Sequence, residues 1–300
     1  MKILMTGATG FLGSHLASTL LNAGHTVIIL KRSFSNTWRI NEFLNDVFFY
    51  DIDHVDLDQP FREHGDINAV IHTATNYGRK GGKATEVFES NLVFPLRLLE
   101  IATTYNTRIF MNTDTFFNKD STRNYEYLNF YSLSKRQFEE WGRQFALSNN
   151  SLFINIKLEH IYGPNDDPSK FTTYIVQSCI NNMDKLELTP GEQKRDFIYI
   201  DDAVNAFLKI LNISDSIKEY FQEYNVGTGN SESIRHFVEI AHSLTHSSTK
   251  LFWGTLPYRE NEIMESHADI SKIINIGWSP KYDIFEGLKK MIGYEKKYFV

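Results

Sequence analysis

KILMTGATGFLG, residues 2–13, sets a short apolar run directly ahead of Gly7, Gly10 and Gly13, three glycines spaced three apart. An amphipathic stretch follows over 11–23. A strand, a glycine-rich turn and a helix in that order suit a dinucleotide pyrophosphate. One glycine makes the tight turn, the next lets the phosphates approach the backbone, and the last lets the helix pack close to the sheet. The helix N-terminus then presents N–H groups and a favourable dipole to the anion. Gly7, Gly10, Phe11, Leu12 and Gly13 are therefore candidate cofactor-binding residues.

Working outward, HTVIIL (25–30), VFFYDI (47–52), AVIHTAT (69–75) and RIFMNT (108–113) are strand-length apolar runs. Helical patterns lie between them, as over 85–105. Apolar strand, helix and apolar strand in repetition predict an α/β fold, a Rossmann-type doubly wound parallel sheet covered on both faces. After about residue 165 the alternation weakens. The expected organisation is a Rossmann domain over 1–164 plus 197–226 and a smaller C-terminal substrate lobe over 165–196 plus 227–300. DFIYIDDAVNAFLKIL and EYNVGTG read as returns to the main sheet.

The chain has 300 residues, a net charge of -6, 42% hydrophobic and 23% charged residues, which is ordinary globular composition. Its cations are scattered, so no nucleic-acid stripe is expected. Cys179 is the single cysteine, so an intrachain disulfide is excluded. No apolar run is long enough for a bilayer, and the glycine-broken N-terminus does not fit a signal peptide. The expectation is a soluble, cytoplasmic protein with no membrane partner. No His/Cys cluster has metal-ligand spacing, and no G-x-S-x-G segment suggests a hydrolase. The tail KKYFV reads as a frayed end, and His72 as a packed strand residue.

The second strand bears on which nicotinamide cofactor binds. NAD binders carry an acid at its end, about 20 residues past the glycines, for the ribose hydroxyls. Here the strand runs into Lys31, Arg32 and Ser33, with no carboxylate in the run and two cations suited to a 2′-phosphate. NADP(H) is the expected cofactor, although a solvated basic turn would look the same. Asp51 and Ile52, ending the third strand, are candidates to flank the adenine or plain strand-end residues.

YSLSK places Tyr131 and Lys135 on one helical face. A cation beside a phenol favours the phenolate, bringing the phenol toward working pH as a proton donor to a carbonyl oxygen. The pair follows a strand ending in Asn112, Thr113, Asp114 and Thr115, where a hydroxyl can reach the same oxygen.

TGATGFLG, the strand end HTAT, the hydroxyl-bearing strand end and YSLSK come in the order seen in the extended short-chain dehydrogenases/reductases, the NAD-dependent epimerase/dehydratase family, which this chain resembles. EHIYGP (159–164) is similar to that family's N-V-Y-G-P segment, with His160 where asparagine is usual. KRDFIYIDDAV (194–204), YNVGTG (224–229), Arg259 and IGWSP (276–280) extend the likeness along nearly the whole chain. The resemblance implies that Tyr131 is the general acid, that Lys135 lowers its pKa and holds the nicotinamide ribose, and that Thr113, four residues before Phe117, orients the carbonyl. It further implies that Thr73, Ala74 and His160 line the cofactor. Arg195 and Arg259 are implied to neutralise a sugar-nucleotide diphosphate, with Lys170 and Phe171 near the nucleotide. Asn76, Tyr77 and Arg79 follow the fourth strand, at the sheet edge where ligands bind. Singly, Arg195 beside Asp196 and Arg259 beside Glu260 also fit surface ion pairs. Asp201 and Asp202 read as a helix N-terminus.

Within the family, NTDTFFNK (112–119) and RENEIM (259–264) resemble the NADPH-dependent 4-ketoreductases of CDP-linked 3,6-dideoxy sugars, enzymes of surface polysaccharide synthesis. The expected partner is a nucleotide-sugar substrate, and relatives suggest a homodimer. The alternatives are a dTDP-4-keto-6-deoxyhexose reductase, a 4-epimerase with bound NAD, a dehydratase using Asp114, and a non-catalytic NADP-binding protein. The dehydratase reading lacks the glutamate that would follow Asp114.

Overall fold

In chain order the computed structural model runs β1 (Lys2–Thr6), α1 (Phe11–Asn22), β2 (Thr26–Lys31), β3 (Phe48–Asp51), α2 (Gln59–His64), β4 (Ala69–His72), α3 (Ala84–Phe88), α4 (Phe94–Thr104), β5 (Ile109–Thr115), α5 (Asn129–Asn149) and β6 (Leu152–Leu158). It continues with β7 (His160–Tyr162), α6 (Phe171–Ile180), β8 (Lys185–Glu187), β9 (Lys194–Arg195), β10 (Phe197–Tyr199), α7 (Ile200–Ile213), β11 (Phe221–Val226), β12 (Glu232–Ser233), α8 (Ile234–Thr245), β13 (Lys250–Phe252), α9 (Ser271–Asn275) and α10 (Ile284–Tyr298). The structure describes residues 1–79, 81–118, 128–149 and 151–298. Residues 299 and 300 of the tail lie outside that set.

Seven strands form one sheet in the order β11-β6-β5-β4-β1-β2-β3, and β1 pairs in parallel with both β2 and β4. The chain builds β2 and β3 on one side of β1, then crosses to β4 on the other. The β1/β4 boundary is thus the switch point at which open α/β sheets bind ligands, beyond the strands' carboxyl ends. Continuous apolar strands fit this architecture because both faces are covered. Ile3, Leu4, Met5, Val27, Ile28 and Ile29 are all fully buried. Each such side chain contributes roughly 1.5–3 kcal/mol by leaving water.

Two compact units divide the chain: Met1–Lys157 with Phe207–Tyr224, and Leu158–Ala206 with Asn225–Val300. In the first, α5 packs on the sheet through Phe138, which meets Phe110 and Phe153 edge-on. Gly142 permits that approach, since a Cβ there would stand 2.1 Å from the Phe153 ring. His72 is fully buried on β4, with Nδ1 2.7 Å from Thr6 Oγ1, as a packed strand histidine should be. The helical pattern over 85–105 is one continuous rod, but a π-helical turn (Glu89–Val93) joins α3 to α4.

In the second unit DFIYI departs from its expected place. β10 pairs in parallel with β7 in a separate two-stranded sheet, and β11 is the segment that returns to the main sheet. FINIKLEHIY is correspondingly broken at Glu159 into β6 and β7. Apolarity marked these segments as buried strands, but both sheets bury their strands, so it did not say which one each joins. Phe237 on α8 centres this unit's core, against Tyr162, Phe171 and Phe197. Asp201 and Asp202 open α7, and the Asp202 carboxylate accepts the N–H groups of Lys281 and Tyr282, so it braces the chain ahead of α10. No described helix is long and apolar enough to cross a membrane.

Candidate active site

The turn after β1 has a shape suited to a phosphate group. Gly7 adopts φ +71°, and a Cβ there would lie 2.5 Å from the Ala74 nitrogen and 2.6 Å from Thr73 Oγ1. Only a glycine lets this turn touch the end of β4. Gly13 is closed by backbone, since a Cβ would lie 2.2 Å from the Gly7 carbonyl oxygen. Gly10 differs, because the one atom near its Cβ position is that same oxygen at 3.2 Å. Gly10 caps α1 with no side-chain hydrogen bond, and no acidic residue stands in the first turn. The first-turn N–H groups lack intrahelical partners and are available to an anion. This geometry fits a dinucleotide pyrophosphate.

At the other end of the candidate cofactor site, strand register adds what the linear run lacked. Lys31 stands opposite Asp51 in the β2–β3 pairing, with Nζ 3.6 Å from the carboxylate. Arg32 Nε lies 3.0 Å from Asp53, whose other oxygen accepts the Ser33 N–H at 3.0 Å. Ser33 Oγ donates to Asp51 at 2.8 Å. The basic turn is therefore paired with two carboxylates that do not stand in its own run, Asp51 at the end of β3 and Asp53 just beyond it. Ser33 N–H holds the Asp53 carboxyl below its ordinary value, with partial desolvation opposing and Arg32 assisting. Partial desolvation works against Asp51 too, but the Ser33 hydroxyl, the Asp53 N–H and Lys31 prevail and keep it low. Ile52 continues the strand, donating its N–H to the Lys31 carbonyl.

The candidate reacting groups gather where β5 meets α5. Side chains alternate along a strand, so Thr113 and Thr115 share one face while Asn112 and Asp114 share the other. On the far face Asp114 is buried and accepts from the Thr115 N–H at 2.7 Å and from Asn118 and Asn155 at 2.9 Å each. Asn155 in turn accepts from Asn112. The carboxylate that a dehydratase would need is thus tied to its neighbours.

On the near face Tyr131 and Lys135 are buried, and Lys135 Nζ donates to the Thr113 carbonyl oxygen at 2.9 Å. Desolvation pushes the Lys135 ammonium down to about 8, with Asp114 opposing. The Tyr131 phenol is held well above its ordinary value by burial, then by Tyr77 and Asp114. The Thr115 hydroxyl and Arg79 act the other way. Thr113 Oγ1 is buried and has no hydrogen-bond partner among the described residues.

The loop after β4 covers the phenol. Tyr77 lies 4.9 Å from the Tyr131 ring, centroid to centroid, and the Arg79 guanidinium stands 4.8 Å over Tyr77. Asn76 turns its side chain inward to the Gly78 N–H. Its backbone is clamped by Asn91, which accepts the Asn76 N–H at 2.7 Å, donates to its carbonyl at 2.8 Å, and reaches Ser134 on α5 at 3.1 Å. Asn91 is fully buried on the π-helical turn and was missed in the sequence. A lone amide inside the apolar run NLVFPL was the available signal.

His160, Lys170, Arg195 and Arg259 belong to the second unit. His160 on β7 pairs with β10, and its Nδ1 lies 3.6 Å from the buried Glu159. Lys170 is the extended residue capping α6, and Phe171 begins that helix half-exposed. Arg195 is buried, bonded to the Lys194 carbonyl and ion-paired with Glu262. Its sequence neighbour Asp196 is committed elsewhere, accepting from the backbone of Thr228, Gly229 and Ala268. Arg259 is exposed, and its carbonyl accepts the Glu262 N–H. Among the described residues no group of three or more His, Cys, Asp or Glu is arranged to hold a metal ion.

Residues 3–227 match the NAD dependent epimerase/dehydratase family. A CDP-abequose synthase from Salmonella muenchen is 38% identical over 296 residues, covering 98% of each chain. Another, from Salmonella typhimurium, is 35% identical over 97% of each. The solved UDP-glucose 4-epimerase from Thermotoga maritima, with UDP-glucose, superposes with a TM-score of 0.85 at 22% identity over 99% of each chain, a likeness of fold.

Proposed function

This chain belongs to the NAD dependent epimerase/dehydratase family, and from that premise we propose that it is an NADPH-dependent 4-ketoreductase of a nucleotide-linked deoxy sugar. The substrate we favour is CDP-4-keto-3,6-dideoxyglucose, reduced to CDP-abequose or CDP-paratose for O-antigen, as the names of the 38% and 35% identical relatives suggest. One observation carries the reductase reading over the dehydratase one. Tyr131, Lys135 and Thr113 stand together while Asp114 lies on the opposite face of β5, held by three donors.

Gly7, Gly10, Phe11, Leu12 and Gly13 would hold the pyrophosphate, with Thr73, Ala74 and His160 along the rest of the cofactor. Asp51 and Ile52 would flank the adenine. Lys31, Arg32 and Ser33 would take the 2′-phosphate, Arg32 by exchanging its Asp53 partner for the stronger anion. A nicotinamide cofactor held there would supply the hydride for the sugar's carbonyl carbon. Thr113 orients the carbonyl through its unpartnered hydroxyl, and Tyr131 gives its proton to the carbonyl oxygen. Lys135 braces Thr113 through the backbone carbonyl and would hold the nicotinamide ribose. Arg195 and Arg259 would neutralise the diphosphate, the substrate displacing Glu262 from Arg195. Lys170 and Asn76 are assigned to the nucleotide and the sugar.

Tyr131→Phe tests the proposal. Turnover is expected to fall by roughly 10²–10⁴, the contribution of a positioned acid, with NADPH affinity within about twofold of wild type. Unchanged turnover would remove Tyr131 as the general acid, and NAD copurifying with active wild-type protein would favour a 4-epimerase.

A further inference from the structure

We propose that Arg39 is a specificity-determining residue for NADP(H), taking the 2′-phosphate together with Arg32. The inference rests on the NADP(H) reading above and deepens it with a residue outside the run of Lys31, Arg32 and Ser33. Two turns flank the place of the adenosine ribose. The turn after β1 would take the pyrophosphate at the α1 N-terminus, and the end of β2 would face the ribose 2′ position. The ribose joins the two, so a cation that spans both turns lies beside it. Arg39 spans them. It belongs to the connection that leaves β2, and its Nη1 donates to the Thr9 carbonyl oxygen of the glycine turn at 3.4 Å.

Local bonds fix the segment that carries it. Asn36 Oδ1 accepts the Trp38 N–H at 3.1 Å, and the Thr37 carbonyl accepts the Ile40 N–H at 2.8 Å, so the chain turns tightly after β2. Ile40 is fully buried and pins that turn to the body of its unit. The Trp38 ring backs the Arg39 guanidinium at 4.4 Å, and the Phe34 ring backs Arg32 in the same way at 4.8 Å. A guanidinium laid on an aromatic face keeps its planar edge of N–H donors for a partner in that plane. With five donors, one guanidinium can hold a carbonyl oxygen and still meet a phosphate.

Charge at the ribose end gives the reason for a further cation. Lys31 and Arg32 are matched by Asp51 and Asp53, so these four side chains cancel in formal charge. A 2′-phosphate brings roughly two negative charges, and both carboxylates repel it. Arg39 adds a positive charge from a different stretch of chain. NADH has a hydroxyl in place of that phosphate and gains little from it. An arginine that merely braced the glycine turn through Thr9 would serve both cofactors alike, so the two roles are separable.

The test is fluorescence titration of the cofactor-free protein with NADPH and with NADH. For Arg39→Gln, NADPH affinity is expected to fall about tenfold or more, the scale of a hydrogen bond between charged groups, with NADH affinity within about twofold of wild type. Competition by 2′,5′-ADP, which keeps the 2′-phosphate and lacks the pyrophosphate bridge, should weaken by a similar factor. Arg39→Lys keeps the charge and loses the fork, so its NADPH affinity should fall between wild type and Arg39→Gln. It carries the same comparison should Arg39→Gln fail to fold. Equal losses for NADPH and NADH would make Arg39 a brace of the glycine turn and overturn the proposal, as would unchanged NADPH affinity in folded Arg39→Gln. The wild type separates this inference from the reading beneath it. Wild-type protein that binds NADPH no tighter than NADH overturns the NADP(H) reading itself, whereas a preference for NADPH that survives Arg39→Gln overturns the Arg39 assignment alone.

Discussion

A methyl group added at Gly10 meets only the Gly7 carbonyl oxygen, at 3.2 Å, whereas one added at Gly13 meets that oxygen at 2.2 Å and two more backbone atoms within 2.8 Å. The two substitutions therefore separate binding from folding. Gly10 has φ -83° and ψ 176°, extended backbone open to any residue. Gly10→Ala costs only the difference between glycine and alanine at a helix cap, about 1 kcal/mol, or roughly 2–4 °C in Tm. The new methyl occupies the open side that the pyrophosphate must approach, so NADPH affinity should fall at least about tenfold. At Gly13 the obstruction is backbone, and α1 must retreat by roughly 1 Å to restore ordinary contact. Overpacking of about 1–3 kcal/mol outweighs the gain of about 1 kcal/mol in helix propensity. The assays are thermal unfolding without cofactor and fluorescence titration with NADPH. Expected are near-normal stability with weak binding for Gly10→Ala, and loss of both for Gly13→Ala. Gly10→Ala protein that binds NADPH like wild type would refute the cradle.

Two further outcomes follow from charge. Asp53→Asn frees Arg32 from its carboxylate partner, so NADPH affinity should tighten several-fold while NADH affinity barely changes; weaker NADPH binding in that variant would count against a 2′-phosphate at this turn. Lys135 is pushed down to about 8 by burial, from an ordinary 10.5. Below both values the folded chain carries a buried cation that the unfolded chain solvates, at a cost of about 3 kcal/mol. Between them the unfolded state binds more protons, so stability contributed at this site rises with pH. Urea unfolding of the cofactor-free protein should show Lys135→Met more stable than wild type at neutral pH, with the advantage shrinking toward pH 10.5. A constant difference across that range would mean that the ammonium is not desolvated.

The parts of the site that lie close in sequence were legible from it. TGATGFLG is one turn between one strand and one helix, and YSLSK spans one helical turn, so spacing alone puts the right groups side by side. What escaped are pairings made by tertiary contact. Asp53 reaches Arg32 only through the β2–β3 register, and Asn91 reaches Asn76 and Ser134 across separate elements. Thr115 and Thr113 are equivalent by strand alternation, and only the approach of α5 distinguishes them. The pairing of β10 with β7 was hidden for a related reason. An apolar strand advertises burial and not its partner.

The proposed activity is most directly tested by following NADPH consumption with CDP-4-keto-3,6-dideoxyglucose and dTDP-4-keto-6-deoxyglucose side by side. Rapid oxidation of NADPH with the CDP substrate, and little with the dTDP one, is the predicted result. NADPH left untouched by both, in protein that carries tightly bound NAD, would contradict the reductase account and point to an epimerase.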